Sequence, residues 1–349
     1  MRRSESMRRL GMVLLVAVGL WALPGHDSWL PRAEAAPAPI KVKMAQPLDS
    51  LDYLALYVAR HFNYFAEEGI DLEVIVMGGG GGPNIQAVIS GNAQFTPTGL
   101  VTMLPAVRQE QPLLIVNGLF NALAANVALR SEVAKAKGIT AQSPLEQKYK
   151  ALKGLTLGVT RPGALTDHVM RYMVAKAGFV VGKDVNLVGV GTGLAALAAL
   201  EQAKVDGVVH LSPVPEQAVH NGTGVMLFNN SAGEIPELRD FLGLGLVTTK
   251  EYATKNPDVV RRVNRPLVRA GRWILDHKPA ETAAILQRYL LGVEPEVLTA
   301  VVQGNLRGVS PDGKIRPECV IGPQKLEIEM GLAASMIDPQ TFTTNAYLP

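Results

Sequence analysis

Between residues 40 and 211 the chain passes twice through an alternation of short strand-like runs and helix-like runs. Ile40, Val42 and Met44 alternate with Lys41 and Lys43, the period of a half-buried strand. A helical stretch follows from about Leu51 to Gly69, glycine being suited to the position just past a helix end. Ile70, Leu72, Val74 and Val76 make the next strand, and five glycines, Gly78 to Gly82, lead into Pro83 and a short helix. A strand over 93–97, a helix over 100–110 and a strand over 113–119 complete this unit. The second unit reads strand 155–160, helix 166–177 ended by Gly178, strand 185–190, helix 194–203 and strand 205–211. Strands separated by single helices run parallel, so each unit predicts a parallel sheet with helices on both faces. Residues 131–153, lysine-rich and interrupted by Gly138 and Pro144, read as surface structure just after a crossing between domains. After Gly233 the texture is mostly helical, over 257–277, 279–291, 295–303 and 323–337, which would cover the first unit. The expectation is an α/β protein of two doubly wound domains, residues 36–128 with 233–349 and residues 129–232.

Composition narrows the function classes. With 48% hydrophobic and 19% charged residues in 349, the chain has the material for two packed cores and is not a disordered polymer. The single Cys319 excludes an intrachain disulfide and a cysteine-only metal site. The six histidines show no paired metal-binding spacing, so neither metal nor cofactor is expected. A formal charge of +3 without a basic run leaves no nucleic-acid footprint. The first 35 residues read as an export signal. Arg2, Arg3, Arg8 and Arg9 precede a 14-residue apolar run from Leu10 to Leu23, and Ala33-Glu34-Ala35 supplies a small-x-small cleavage site near Ala35. That run is short of the roughly 20 apolar residues a membrane span needs. Its arginine pairs leave twin-arginine export open beside the general route. No cysteine follows it, so no lipid anchor can be attached there. Cleavage removes five basic and three acidic side chains and leaves a net charge of about +1 on a freely diffusing, periplasmic chain.

A set of phrases then appears in a fixed order. Leu56-Tyr57-Val58-Ala59 is followed by Tyr64-Phe65-Ala66-Glu67-Glu68-Gly69-Ile70-Asp71-Leu72-Glu73-Val74, then Gly91-Asn92-Ala93-Gln94-Phe95. Leu152-Lys153-Gly154-Leu155-Thr156-Leu157-Gly158-Val159 opens the second unit, Ala199 to Gly207 closes it, and Thr343 to Leu348 ends the chain. This order resembles the type II periplasmic solute-binding proteins, in the nitrate/sulfonate/taurine and thiamine-precursor (NMT1/THI5-like) branch. The resemblance implies two domains joined by a hinge with a ligand cleft between them. It also implies a non-enzymatic, monomeric receptor that hands a small polar or anionic solute (sulfonate, carboxylate or pyrimidine-like) to an inner-membrane ABC permease and ATPase. Relatives of the fold include desulfinases with an active cysteine and a pyrimidine synthase rich in Cys and His; here Cys319 stands away from every strand-end loop. A sensory, ligand-presenting role is the other alternative.

Ligands of open α/β sheets sit beyond the carboxyl ends of the strands, so the strand-end loops of both domains supply the candidate site. These are Pro47, Asp49, Ser50, Asp52 and Tyr53; Gly80, Gly82 and Asn84; Thr98 and Gly99; Arg161, Gly163, Ala164 and Thr166; Thr192 and Gly193; and Ser212 and Pro213. Several of the loops run straight into helix N-termini, whose free N–H groups favour acidic or polar ligand atoms. Arg161 reads either as a fork for a carboxylate or sulfonate or as a partner for a surface acid. Asp49 and Asp52 suit an amino-bearing ligand, although for Asp52 a cap on the first helix is the preferred expectation. Tyr53 would stack on a planar ligand or pack on its own domain. His168 begins a helix beside a candidate loop. Asp206, His210 and Ser212 share one face of a strand but stand too far apart for a catalytic triad.

Overall fold

The computed structural model describes residues 38–79 and 82–349. The export-signal reading and Gly80 lie outside the described residues. In the first half of the molecule β1 (Ile40–Gln46) and β2 (Ile70–Val76) pair in parallel, from Ile40 with Ile70 to Gln46 with Val76. Between them lie a 3-10 turn over Leu51–Tyr53, α1 (Leu54–His61) and α2 (Tyr64–Glu67). The single helix expected from Leu51 to Gly69 is therefore three pieces, because Asn63 takes the left-handed conformation at φ 57° and ends the first run. After α3 (Gly82–Ile89) come β3 (Thr96–Thr98), α4 (Leu100–Arg108) and β4 (Leu113–Phe120).

The chain then enters the second half, with β5 (Ala125–Arg130), α5 (Ser131–Ala136), α6 (Leu145–Ala151), β6 (Thr156–Val159) and α7 (Leu165–Lys176). β7 (Asn186–Gly189), α8 (Leu194–Glu201), β8 (Gly207–Leu211), α9 (Val214–His220) and β9 (Gly224–Phe228) complete a five-stranded sheet in the order β7-β6-β8-β5-β9. It returns through β10 (Leu244–Thr249), then α10 (Lys250–Lys255), α11 (Pro257–Asp276), α12 (Pro279–Leu286), α13 (Pro295–Asn305) and α14 (Pro317–Glu329). The last helix starts at Pro317 rather than Pro323, since a proline fits the first turn of a helix without losing a bond, and Pro323 is carried inside.

Both sheets depart from the all-parallel expectation, and in the same way. β10 lies antiparallel between β3 and β4, and β5 lies antiparallel between β8 and β9. With β1 joined to β3 through Met44 and Phe95, the first half reads β2-β1-β3-β10-β4, which repeats the order of the second half. Each half thus receives one strand from the chain arriving from the other. Neither β5, β9 nor β10 is foreseen by the alternation argument. β5 and β10 are buried nearly throughout and carry no alternation to read. The two crossings press together where Gly243 meets Ala122: a Cβ on Gly243 would sit 2.1 Å from the Ala122 carbonyl oxygen, so only glycine fits. Tyr57, Phe95, Phe120, Phe228 and Phe342 are fully buried. Among the described residues no helix is long and apolar enough to cross a membrane.

Candidate ligand cleft

Carboxyl ends of strands from both halves meet at two adjoining chambers. The first, a narrow space of about 30 Å³, takes Pro47, Leu48, Asp52 and Tyr53 from the loop after β1, and Thr98, Gly99 and Thr102 from the junction of β3 and α4. The other half supplies Thr160, Ala164, Leu165 and Thr166 from the junction of β6 and α7, with Leu211 at the end of β8. Gly243 and Leu244, where the chain returns, form part of the wall. α4 begins immediately after Gly99 and α7 immediately after Ala164, so two helix N-termini open at this chamber. Thr166 Oγ1 lies 3.0 Å from the Thr160 N–H and 2.8 Å from its hydroxyl, which fixes the α7 entrance.

Among the described residues no lysine or arginine lines this chamber, and its ionisable groups are Asp52 and Tyr53. Asp52 is buried, and burial pushes its carboxyl up to about 6, against the hydroxyl of Ser50, which donates to it and pulls the other way. Burial also holds the Tyr53 phenol well above its ordinary value, so it stays a neutral donor. The capping role expected for Asp52 is not what the structure holds. Leu51–Tyr53 form a 3-10 turn, which places Asp52 inside the turn and among the residues lining the chamber. Tyr53 packs on its own half, 6.3 Å from the Tyr57 ring, and lines the chamber as well.

The second chamber, of about 120 Å³, holds Asp49, Gly193 and Pro213 together with Leu194, His210, Leu211, Val214, Gln217 and Tyr289 to Leu291 and Val293. Asp49 accepts from Gln46 Nε2 at 2.8 Å and from the Tyr57 hydroxyl at 2.9 Å. Three hydrogen bonds join the halves around these spaces. Leu51 N–H donates to the Ser212 carbonyl at 2.9 Å, Arg161 Nη2 to the Gly79 carbonyl at 3.3 Å, and Gln217 Nε2 to the Gly292 carbonyl at 2.7 Å.

Of the sequence candidates, Pro47, Asp52, Tyr53, Thr98, Gly99, Ala164 and Thr166 meet in the first chamber. The others sit elsewhere. Arg161 reaches the glycine-rich segment and lines neither chamber. Ser50 gives its N–H to the Tyr57 hydroxyl, and Gly163 gives its N–H to Asp167. Asn84, fully buried, donates to Thr96 within its own half, and Gly82 opens α3 beside it. Thr192 belongs to the turn before α8, where its carbonyl takes the Ala195 N–H. Ser212 Oγ donates to the half-buried Glu216, which also accepts from Asn126 at 2.6 Å, and desolvation of its carboxyl raises the Glu216 pKa. Asp206 accepts from the Thr156 N–H, so it does not serve His210 or Ser212. His168 lines neither chamber. Missed by the sequence were Thr102, Thr160, Leu211, Gly243 and Leu244, whereas Leu48 and Leu165 lie within the candidate loops; of those missed, only Thr102, in the first turn of α4, carried a readable signal.

Residues 37–289 match the NMT1-like family, and the chain belongs to it. YtlA of Bacillus subtilis (strain 168), described as a binding protein, is 24% identical over 243 residues, 68% of this chain and 67% of that one. A solved structure from Bordetella bronchiseptica RB50 superposes with a TM-score of 0.76 at 24% identity, covering 88% of this chain and 95% of that chain. The alkanesulfonate-binding protein of Xanthomonas axonopodis pv. citri gives 0.64 at 19% identity, over 85% and 95%. A desulfurization enzyme also shares the fold, at a TM-score of 0.60 and 15% identity, over 88% and 97%. The fold is that of the two-domain periplasmic binding proteins.

Proposed function

We propose that this protein is an extracytoplasmic receptor that captures a small anionic solute between its two halves and presents it to an ABC importer. The observation that carries the reading is the first chamber, where strand-end loops of both halves bring two helix N-termini and four threonine hydroxyls around one space. Free N–H groups at helix starts and neutral hydroxyls hold an oxyanion without a full positive charge. The alkanesulfonate-binding relative supports an anion of that kind. Because no cation offsets it, Asp52 is protonated when the anion is bound and donates rather than repels. The domains we assign are about 38–120 with 244–349, and about 125–228, hinged at 121–124 and 229–243. That moves the first crossing a few residues before the 128/129 boundary read from sequence, since β5 already belongs to the second sheet. The signal, the periplasmic location and a monomeric state complete the reading.

The enzyme alternative finds little support in the cleft. Cys319 is buried in α14, its thiol pushed up to about 11 by burial, and it lines neither chamber. Native mass spectrometry of freshly purified protein identifies the co-purifying solute, and calorimetry with Thr98→Val and Thr160→Val tests its place. Each loses one hydroxyl contact, about 1 kcal/mol, and is expected to weaken binding about fivefold. Unchanged affinity in both variants would place the solute elsewhere.

A further inference from the structure

The second chamber differs from the first in kind. Leu211, Val214, Leu290 and Val293 give it aliphatic walls, Tyr289 an aromatic one, and Leu194 and Leu291 stand at its edge 61% and 72% exposed. Large aliphatic side chains left in water beside a preformed hollow are surface that gains by being covered. The halves are tied across this space by Gln217 and the Gly292 carbonyl, so it belongs to the same closed arrangement as the first chamber.

One wall residue is polar and incompletely partnered. His210 is 1% exposed, and its Nδ1 lies 2.9 Å from the Leu211 carbonyl. A carbonyl only accepts, so the proton sits on Nδ1 and Nε2 is left with a lone pair, for which none of the described residues offers a donor. Burial holds the ring neutral, pushing its pKa down to about 4. The charged group nearest this chamber is Asp49, whose carboxylate disfavours a second anion here.

We propose that the second chamber is a ligand subsite for a compact apolar or aromatic group bearing one N–H or O–H donor, seated with that donor on His210 Nε2 and covered by Leu194 and Leu291. Its natural occupant rests on the solute-receptor reading, being either a second moiety of the captured solute or a separate small molecule. Binding itself is testable without that identity.

The probes are indole, which carries an N–H donor, and N-methylindole, which has the same flat apolar body without it. Solute-stripped full-length mature protein is titrated with each and followed by the imidazole nitrogen resonances. Indole is expected to bind with Kd of about 1 mM or tighter, to shift the His210 Nε2 signal, and to bind about tenfold more tightly than N-methylindole. Val293→Trp, a half-exposed position, fills the chamber and is expected to abolish binding of both. His210→Leu is expected to reduce indole to the level of N-methylindole; should that variant fail to fold, the wild-type nitrogen shift still decides. Equal affinities for the two probes, an unmoved Nε2 signal, or indole binding that survives Val293→Trp overturns the proposal. Co-purified solute that still depends on Thr98 and Thr160 while indole fails sinks this inference alone, and the reverse pattern sinks the receptor reading alone.

Discussion

The two chambers lie side by side in one cleft, yet each carries a different buried titratable group displaced in the opposite direction. Asp52 in the hydroxyl-lined chamber is pushed up to about 6, whereas His210 in the apolar chamber is pushed down to about 4. Burial is the leading cause in both, and it favours the neutral form each time. The difference teaches that what this cleft presents is neutral: un-ionised side chains, hydroxyls and helix ends. The arginine that the sequence offered as a grip, Arg161, is spent on joining the halves.

Stability against pH separates the chambers most strongly. His210 titrates lower folded than unfolded, from 6.5 to about 4, so its contribution is present above pH 6.5 and lost as pH falls through about 4. Between pH 7 and pH 4 the wild type should lose about 3 kcal/mol more than His210→Leu in urea unfolding. Parallel pH profiles for the two proteins would contradict the burial assigned to this ring.

Asp52 behaves oppositely, being raised from 3.8 to about 6, so its contribution is present below pH 3.8 and lost as pH rises through about 6. If the bound anion keeps Asp52 protonated, affinity holds below pH 6 and falls up to tenfold per unit above it. Calorimetry with the co-purified solute should therefore show a loss of about 50-fold, about 2.3 kcal/mol, between pH 6 and pH 8. Asp52→Asn should flatten that profile. Tighter binding at pH 8 would instead mean a cationic solute paired with ionised Asp52.

The smallest expected effect belongs to Arg161. Its 3.3 Å bond to the Gly79 carbonyl is long and reaches a partly exposed segment. Arg161→Ala should weaken solute binding by less than about threefold, through easier opening of the cleft. A loss above tenfold would show that the guanidinium turns to the ligand.

Much of the fold was legible because its signals were local. The second unit, from Leu155 to Leu211, comes out as expected to within a few residues, since Gly178 ends α7 and its strands are bounded by turns. What stayed hidden depends on contacts between distant segments. β10 reads as a featureless Leu-Gly-Leu-Val run, and only its place between β3 and β4 makes it a strand. The cleft was half legible for the same reason. Loops at strand ends are predictable from topology, which brings Thr98, Gly99, Ala164 and Thr166 to one place. Whether a loop side chain turns outward or inward is decided by neighbours, so Asn84 goes to Thr96 and Arg161 to Gly79. Gly243 and Leu244 enter the wall through the return crossing, for which the linear sequence has no mark.

A crystal structure of the protein loaded with its co-purified solute tests the central claim most directly. The account expects density in the first chamber, within hydrogen-bonding distance of the N–H groups that open α4 and α7 and of the Thr98 or Thr160 hydroxyl, with Asp52 alongside. Density held by Arg161 outside that chamber, or a solute that leaves both helix starts uncontacted, would contradict it.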